Sequence, residues 1–270
     1  MDLAPAFERL MASHRSIRSF KPDPIDPEEV DRLLHAALHG TSSSGNLNMV
    51  SVVKTADTAR KAHLCELHGG QPMVLQAPLL LTFCADTFRT REWLALRGAR
   101  PGFADFVSWH TAAFDAMIFA QTTALAFESR GLGICYMGTT LFSMRAIADF
   151  LELPPHCLPA TTLVVGWPDE APPQRDRLPR EAWIHDERYH RPSSLDIEER
   201  FHERELRGKA RYMESSPEMA QLWRDNGITS LAQYYTSRIK YDPDRFDGYS
   251  AEIEALLHER GFWTASEKPR

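Results

Sequence analysis

Residues 103–130 read FADFVSWHTAAFDAMIFAQTTALAFESR and form the longest stretch of helical periodicity in the chain. Apolar side chains recur in this stretch at spacings of three and four residues, as in a long α-helix. Because they cover much of its circumference, the helix should be buried within the domain or against a partner, and its many alanines permit close packing. We therefore expect a central helix around which the other elements are arranged.

Buried strands lie on both sides of this helix in the sequence. Residues 77–85 (APLLLTFCA) and 157–167 (CLPATTLVVGW) are apolar runs of strand length, and shorter strands are expected at 49–54 and 134–138. Amphipathic segments of helical spacing separate them. This alternation indicates an α/β or α+β fold in which helices cover the sheet.

Local signals give the start of one early helix. Asp26 is the expected N-cap, Pro27 occupies the first helical position, and Glu29 follows at the capping-box position. The apolar positions that follow predict a helix ending near Gly40. Beyond residue 181 the chain is charged and helical in pattern, with a break at Ser193.

The composition narrows the function classes. The chain has 270 residues, 43% of them hydrophobic, and a net charge of −6, which argues against general nucleic-acid binding. Apolar stretches are too short to cross a bilayer, and the N-terminal residues show no signal-peptide pattern. The four cysteines are far apart, so we expect buried thiols in a reducing compartment and a cytoplasmic protein.

Several common sites are not supported by the sequence. His35 and His39 share a predicted helix face, but no third ligand is indicated, so no metal is expected. There is no G-x-S-x-G elbow, no G-x-G-x-x-G after an opening strand and no Walker A sequence. The usual nucleophile, nicotinamide-domain and nucleotide-triphosphate sites are therefore not predicted.

The run His14-Arg15-Ser16-Ile17-Arg18 is the first candidate site. Ile17 is expected to point into the core, while guanidinium groups and a hydroxyl on the other positions could receive an anion. Further polar candidates are Ser43 in a loop rich in hydroxyls, Gln71 after a Gly-Gly turn, the turn after Tyr136, and Arg175 with Arg177. Each also has an ordinary structural interpretation as a loop charge or a turn cap.

Taken in order, the segments that carry these residues resemble the FMN-dependent nitroreductase family. The resemblance is greatest to its branch of major oxygen-insensitive nitroreductases and NADPH-flavin oxidoreductases, and it covers roughly residues 8 to 190. It rests on seven short motifs in the same order: HRSIRSF, TSSS, GGQ, ESRGLGICYMG, LELP, VVGWP and RDRLP.

The resemblance implies an α+β fold with a central mixed sheet flanked by helices. It implies an FMN-binding core over residues 1–190 and a helical C-terminal extension over residues 191–270, which is part of the same domain and wraps the dimer partner. The protein would be a homodimer with FMN at the interface, and it would use NADPH or NADH as co-substrate.

Residue roles follow from the same resemblance. The run His14, Arg15, Ser16, Ile17 and Arg18 would contact the ribityl chain and phosphate of FMN. Ser43 and Gln71 would reach the flavin, Ser43 either from the same subunit or from the opposite one. The isoalloxazine would be lined by Tyr136, Met137, Gly138 and Thr139, and the phosphate clamp would be completed by Arg175, Asp176 and Arg177.

Two positions depart from the branch. Arg175 stands where the branch often has lysine, and the turn Gly138-Thr139-Thr140-Leu141 lacks the arginine that commonly binds the pyridine nucleotide, with Arg145 only later. The 2′-phosphate of NADPH would instead meet Arg207, whose alternative interpretation is a solvated helix charge. NADPH is accordingly the expected preference over NADH.

The implied activity is reduction of nitroaromatics, quinones or flavins by a ping-pong transfer of hydride through FMN, with no protein side chain as nucleophile. One alternative is a specialised member with a single physiological acceptor, such as a dehalogenase or metal reductase. Others are a flavin-binding store or sensor without turnover, and a structural dimer that binds no flavin. The partners are a small-molecule electron acceptor and a second copy of the chain, with neither nucleic acid nor membrane.

Overall fold

The computed structural model describes residues 3–40, 42–43 and 45–263. The chain divides into two compact units. One contains the residues up to Gln174 together with those from Ala251 onward, and the other contains Arg175–Ser250.

The first unit is built from helices α1–α8 and strands β1–β4. In chain order they are α1 (Leu3–Ser13), α2 (Pro27–Ala37), β1 (Val50–Thr55), α3 (Thr58–Leu67), α4 (Met73–Gln76), β2 (Leu79–Asp86), α5 (Phe88–Leu96), α6 (Phe106–Glu128), β3 (Gly133–Tyr136), α7 (Thr139–Phe142), α8 (Met144–Phe150) and β4 (Cys157–Gly166).

The four strands form one sheet in the order β1-β2-β4-β3. Each neighbouring pair is antiparallel, with Val50 opposite Ala85, Leu79 opposite Val165 and Gly133 opposite Gly166. The α+β class is thus confirmed, but the expected mixed sheet is wrong for the described strands. Since β4 runs back between β2 and β3, antiparallel to both, no parallel pair arises among them.

Both faces of the sheet are covered, and all eight residues of β2 are buried. On one face Leu81 and Phe83 pack with α2 and α6, where the rings of Phe83 and Phe119 meet edge to face at 5.3 Å. On the other face Leu80 and Val164 pack against α3, α4 and α8. Helix α6 therefore occupies the central position predicted from its periodicity.

The predicted N-cap of α2 is confirmed, but its predicted capping box is not formed. Asp26 accepts a hydrogen bond from the Glu28 N–H at 3.0 Å, which confirms the N-cap of α2. Glu29 does not complete a capping box, because its carboxylate pairs with Arg130 at 2.9 Å and Arg32 at 3.1 Å. The four cysteines are buried and free, as expected.

The second unit is helical and has its own small core. It contains a short 3-10 helix (Arg180–Ala182), α9 (Ser194–Met213), α10 (Pro217–Asp225), α11 (Leu231–Tyr235) and the start of α12 (Pro243–Glu259). A Cβ on Gly208 would lie 2.2 Å from Leu231 Cδ2, so the glycine allows α9 and α11 to pack closely. The end of α12 belongs to the first unit, where Leu256 and Leu257 pack with Met144 and Leu158.

In the part of the chain that the structure describes, no helix is both long and apolar enough to cross a membrane.

Candidate functional site

The segment that joins α1 to α2 packs along β3. Ile17 is 4% exposed, as predicted, and its N–H donates to the Ile134 carbonyl at 3.0 Å. Its side chain lies against Gly133, where a Cβ would come within 2.6 Å of Ile17 Cγ1. Residues 14–18 are thereby fixed to the edge strand, with their polar side chains around the buried isoleucine.

The basic side chains of this segment have different partners. His14 Nδ1 lies 2.6 Å from Glu128 Oε1 at the end of α6. Arg15 donates to the Pro172 carbonyl at 3.1 Å, and Arg18 donates to the Ser16 carbonyl at 3.3 Å. Neither the Arg15 nor the Arg18 guanidinium group forms an ion pair within 4 Å with a carboxylate of the described residues. Their positive charges therefore remain available for an anion.

The chain after β4 runs antiparallel to the same segment. Glu170 is central to this pairing, because its carboxylate accepts hydrogen bonds from the backbone N–H groups of Arg18 and Ser19. Further hydrogen bonds join residues 12–21 to residues 167–174. They run from Lys21 N to Trp167 O, from Asp169 N to Ser19 O, and from Gln174 Nε2 to Ala12 O. This series of hydrogen bonds ends at Gln174, which immediately precedes Arg175 in the sequence.

Gln71 and Thr139 are both attached to His68. Gln71 Nε2 donates to the His68 carbonyl at 3.0 Å, and His68 Nδ1 lies 2.9 Å from Thr139 Oγ1. His68 is fully buried, and burial lowers its pKa to about 4, so the ring is neutral near pH 7. One histidine thus joins the turn after α3 to the turn after β3.

The turn after β3 presents backbone donors. The Met137 N–H donates a hydrogen bond to the Thr162 carbonyl at 2.9 Å. The N–H groups of Gly138 and Thr139, by contrast, have no acceptor among the described residues. The Tyr136 hydroxyl donates to Gln121 Oε1 at 3.1 Å. Burial, and to a lesser degree the charge of Glu128, raises the pKa of Tyr136, so the phenol stays protonated. The turn therefore offers two backbone N–H donors to the polar edge of a planar ligand.

Ser43 is held by a carboxylate that sequence reasoning missed. Its N–H and Oγ lie 2.6 Å and 2.7 Å from Asp115 Oδ1, in the middle of α6. Residues 41 and 44 of the predicted TSSS loop fall outside the described residues. The signal that could have pointed to Asp115 is a single acidic residue on the buried face of a largely apolar helix.

The last predicted residues belong to the second unit. Arg177 Nη1 donates to the carbonyls of Arg175 at 3.1 Å and Asp176 at 3.2 Å. Burial opposes ionisation of Asp176, but hydrogen bonds from Arg211 and from its own backbone, with nearby arginine charges, outweigh it and lower its pKa. Exposed Arg207 pairs with Glu203 at 3.2 Å, one helical turn away.

The chain is similar in sequence to several known proteins. The family model of the nitroreductase family matches residues 11–167. An FMN reductase (NAD(P)H) of Bacillus subtilis strain 168 is 31% identical over 256 residues, which is 93% of this chain and 96% of the relative. An oxygen-insensitive NADPH nitroreductase of Salmonella typhimurium is 34% identical over 187 residues, 69% of this chain and 75% of the relative.

A solved structure is similar over nearly the whole length. The hypothetical oxidoreductase YcnD from Bacillus subtilis matches with a TM-score of 0.81 and 29% identity, and the match covers 96% of this chain and 98% of that chain. Both units of the chain are therefore spanned by related proteins.

Proposed function

The chain belongs to the nitroreductase family, and we propose that it is an FMN-dependent NAD(P)H oxidoreductase. It would reduce nitroaromatic compounds, quinones or flavins in two half-reactions that share one pocket. The proposal agrees with the names of its relatives, an FMN reductase and an oxygen-insensitive NADPH nitroreductase.

One observation carries the proposal: three sequence-distant candidate segments meet along β3. Residues 14–18 attach to its start through Ile17 and Ile134, and residues 136–139 continue from its end. Residues 68–71 join that end through His68 and Thr139. A short edge strand thus supports a row of polar groups that extends from arginines to free backbone amides.

The donor set along this row fits FMN. The cofactor has a dianionic phosphate at one end and a flat ring system with polar edges at the other. Arg15 and Arg18 carry charges that no described carboxylate neutralises, which suits the phosphate oxygens. The unpaired amides of Gly138 and Thr139, with the side chain of Gln71, suit the ring edge.

The protein groups would bind and orient, because FMN when bound supplies the hydride chemistry itself. The arginines hold the phosphate, and Ser16 between them offers a hydroxyl to the ribityl chain. Gln71 keeps a fixed orientation because its Nε2 is bonded to the His68 carbonyl. No side chain is required as a nucleophile, and the phenol of Tyr136 remains protonated.

Three further residues are assigned to the phosphate site by the family resemblance. We propose that Arg175, Asp176 and Arg177 close the phosphate clamp, with the carboxylate of Asp176 neutralised by Arg211 at 3.1 Å. Arg207 would leave its exposed ion pair with Glu203 and bind the 2′-phosphate of NADPH instead. Because NADH lacks this phosphate, NADPH would be preferred.

The functional form would be a cytoplasmic homodimer with FMN at the interface. The outer face of α6 supports a dimer, because its apolar side chains Phe106, Val107, Phe114 and Met117 are 39–72% exposed. The helical extension over residues 191–270 would wrap the second copy of the core formed by residues 1–190. Four cysteines without disulfides support a reducing compartment.

Purification and anaerobic titration test the proposal. The protein, reconstituted with FMN and dialysed, should keep flavin absorbance, and NADPH or NADH should bleach it. Steady-state rates with nitro, quinone and flavin acceptors should then give parallel double-reciprocal lines. Colour that persists with both nicotinamides would instead indicate a flavin-binding protein without turnover, and a colourless protein would reject the proposal.

A further inference from the structure

A single buried carboxylate closes the loop that carries Ser43. Asp115 is 3% exposed, and α6 places it within hydrogen-bond distance of Ser42, Ser43 and Met49. Its Oδ1 accepts the Ser43 N–H at 2.6 Å, while its Oδ2 accepts the Met49 N–H at 2.9 Å. The two ends of the loop are therefore held by the two oxygens of one side chain.

Three of the described residues between these ends have an unusual backbone conformation. Gly45, Asn46 and Asn48 have φ values of 51°, 56° and 52°, in the left-handed region that asparagine and glycine tolerate best. All three residues are exposed. An exposed loop with such a backbone keeps one shape only if other contacts fix its ends, and Asp115 supplies those contacts.

We infer that Asp115 is a positioning residue for the flavin site. It holds the backbone N–H groups of Ser43 and Met49, at the two ends of one loop, so that Ser43 is presented in one orientation to the flavin. The inference rests on the proposed function, because it assumes that Ser43 contacts FMN. Asp115 itself is buried beneath the loop and acts only through it.

The hydrogen-bond inventory of Ser43 sharpens its role. The hydroxyl has one proton, and that proton is directed to Asp115 Oδ1 at 2.7 Å or to the Thr111 carbonyl at 3.1 Å. Ser43 can therefore offer only lone pairs to a ligand while the loop is closed. Loss of the hydroxyl should consequently matter less than loss of the carboxylate that shapes the whole loop.

Asp115→Asn tests this role. The amide retains the size of the side chain but places an NH₂ group against one of the loop donors. Hydrogen exchange at the Ser43 and Met49 amides should become about tenfold faster or more, since a charge-assisted hydrogen bond is lost. The Kd for FMN should rise about tenfold, and the visible circular dichroism of bound FMN should change. Ser43→Ala should raise the Kd less.

Leu257→Ala is the matched control, because it opens a cavity in a core cluster that contains neither Ser43 nor Asp115. It should lower the melting temperature without moving the FMN Kd or the exchange of the loop amides. If it weakens FMN binding as much as Asp115→Asn does, Asp115 acts only through general stability.

If Asp115→Asn leaves the hydrogen exchange of the loop amides and the FMN affinity unchanged, the inference is overturned. A wild-type protein that binds no FMN would reject the proposed function instead, while the exchange data would still report whether Asp115 closes the loop.

Discussion

His68 Nδ1 lies 2.9 Å from Thr139 Oγ1, and the imidazole is completely buried between the turn after α3 and the turn after β3. Its Nε2 has no hydrogen-bond partner among the residues described. A protonated ring would place an unpaired N–H and a positive charge in this interior, so burial lowers the pKa to about 4. The contact that joins Gln71 to Thr139 therefore depends on a neutral histidine.

We predict that stability falls as the pH is lowered from about 6.5 to about 4. In this range the unfolded chain takes up a proton at His68, with an ordinary pKa of about 6.5, and the folded chain does not. The free energy of unfolding should lose about 3 kcal/mol below pH 4 through this group. Urea unfolding across that pH range measures it.

His68→Asn should remove this part of the pH dependence, since the amide can still bond Thr139 but does not titrate. The same substitution at exposed His35 controls for the removal of one histidine from the surface. Identical acid profiles for the wild type and His68→Asn would show that other groups govern acid unfolding.

Lys61 gives a second stability prediction. It is 7% exposed, and its ammonium donates to two carbonyls at the C-terminal end of α4, that of Ala77 at 2.7 Å and that of Leu75 at 3.4 Å. Lys61→Met keeps the apolar stem but leaves these carbonyls without that donor, which should cost about 2 kcal/mol in the free energy of unfolding.

Lys54→Met is the comparison for that variant, because Lys54 forms an exposed ion pair with Asp31. Denaturant unfolding should show a much smaller effect there, since exposed pairs contribute about 1 kcal/mol or less. Equal losses in the two variants would contradict the proposed role of Lys61.

The elements themselves were predictable from local patterns. We predicted β2 and α6 to within a few residues from the apolar run at 77–85 and the helical period of 103–130. Both elements are buried on more than one side, and such burial produces a clear pattern of apolar residues in the sequence. The cap at Asp26 followed from one residue type and the proline after it. Helices α4 and α7, each of four residues, are too short to show a period.

The contacts that organise the candidate site were not predictable in the same way. Glu170 bonds the N–H groups of Arg18 and Ser19 from about 150 residues away, and Asp115 holds Ser43 from 72 residues away. Such pairs leave no periodic trace, because each residue type is common in loops and on helices. Their positions become visible only when the sheet brings distant segments together.

Gly133→Ala should disturb the site through Ile17. A Cβ at this position would lie 2.6 Å from Ile17 Cγ1 and 2.9 Å from Ile17 Cβ, so the isoleucine and the segment around it must move. We expect a loss of about 2 kcal/mol in stability, as for other overpacked cores, together with weaker FMN binding. Equilibrium unfolding and FMN titration measure the two effects.

Gly248→Ala is the appropriate control, because a Cβ at that position in α12 meets no atom within 4 Å. It should leave FMN affinity unchanged and increase stability slightly, as alanine favours a helix interior. If Gly133→Ala binds FMN as tightly as the wild type, the packing of Ile17 does not position the arginines.

The arginine clamp gives the most direct prediction about the cofactor. Arg18→Ala and Arg177→Ala should each raise the Kd for FMN by about tenfold to a hundredfold, because each removes a charge-assisted contact to the phosphate. Riboflavin lacks the phosphate, so its weaker binding should be nearly the same in the wild type and both variants. Arg32→Ala removes an exposed arginine paired with Glu29 at 3.1 Å and should leave both affinities unchanged. Equal FMN affinity in the wild type and both clamp variants would reject this phosphate assignment, and equal losses for FMN and riboflavin would place the arginines at the ring.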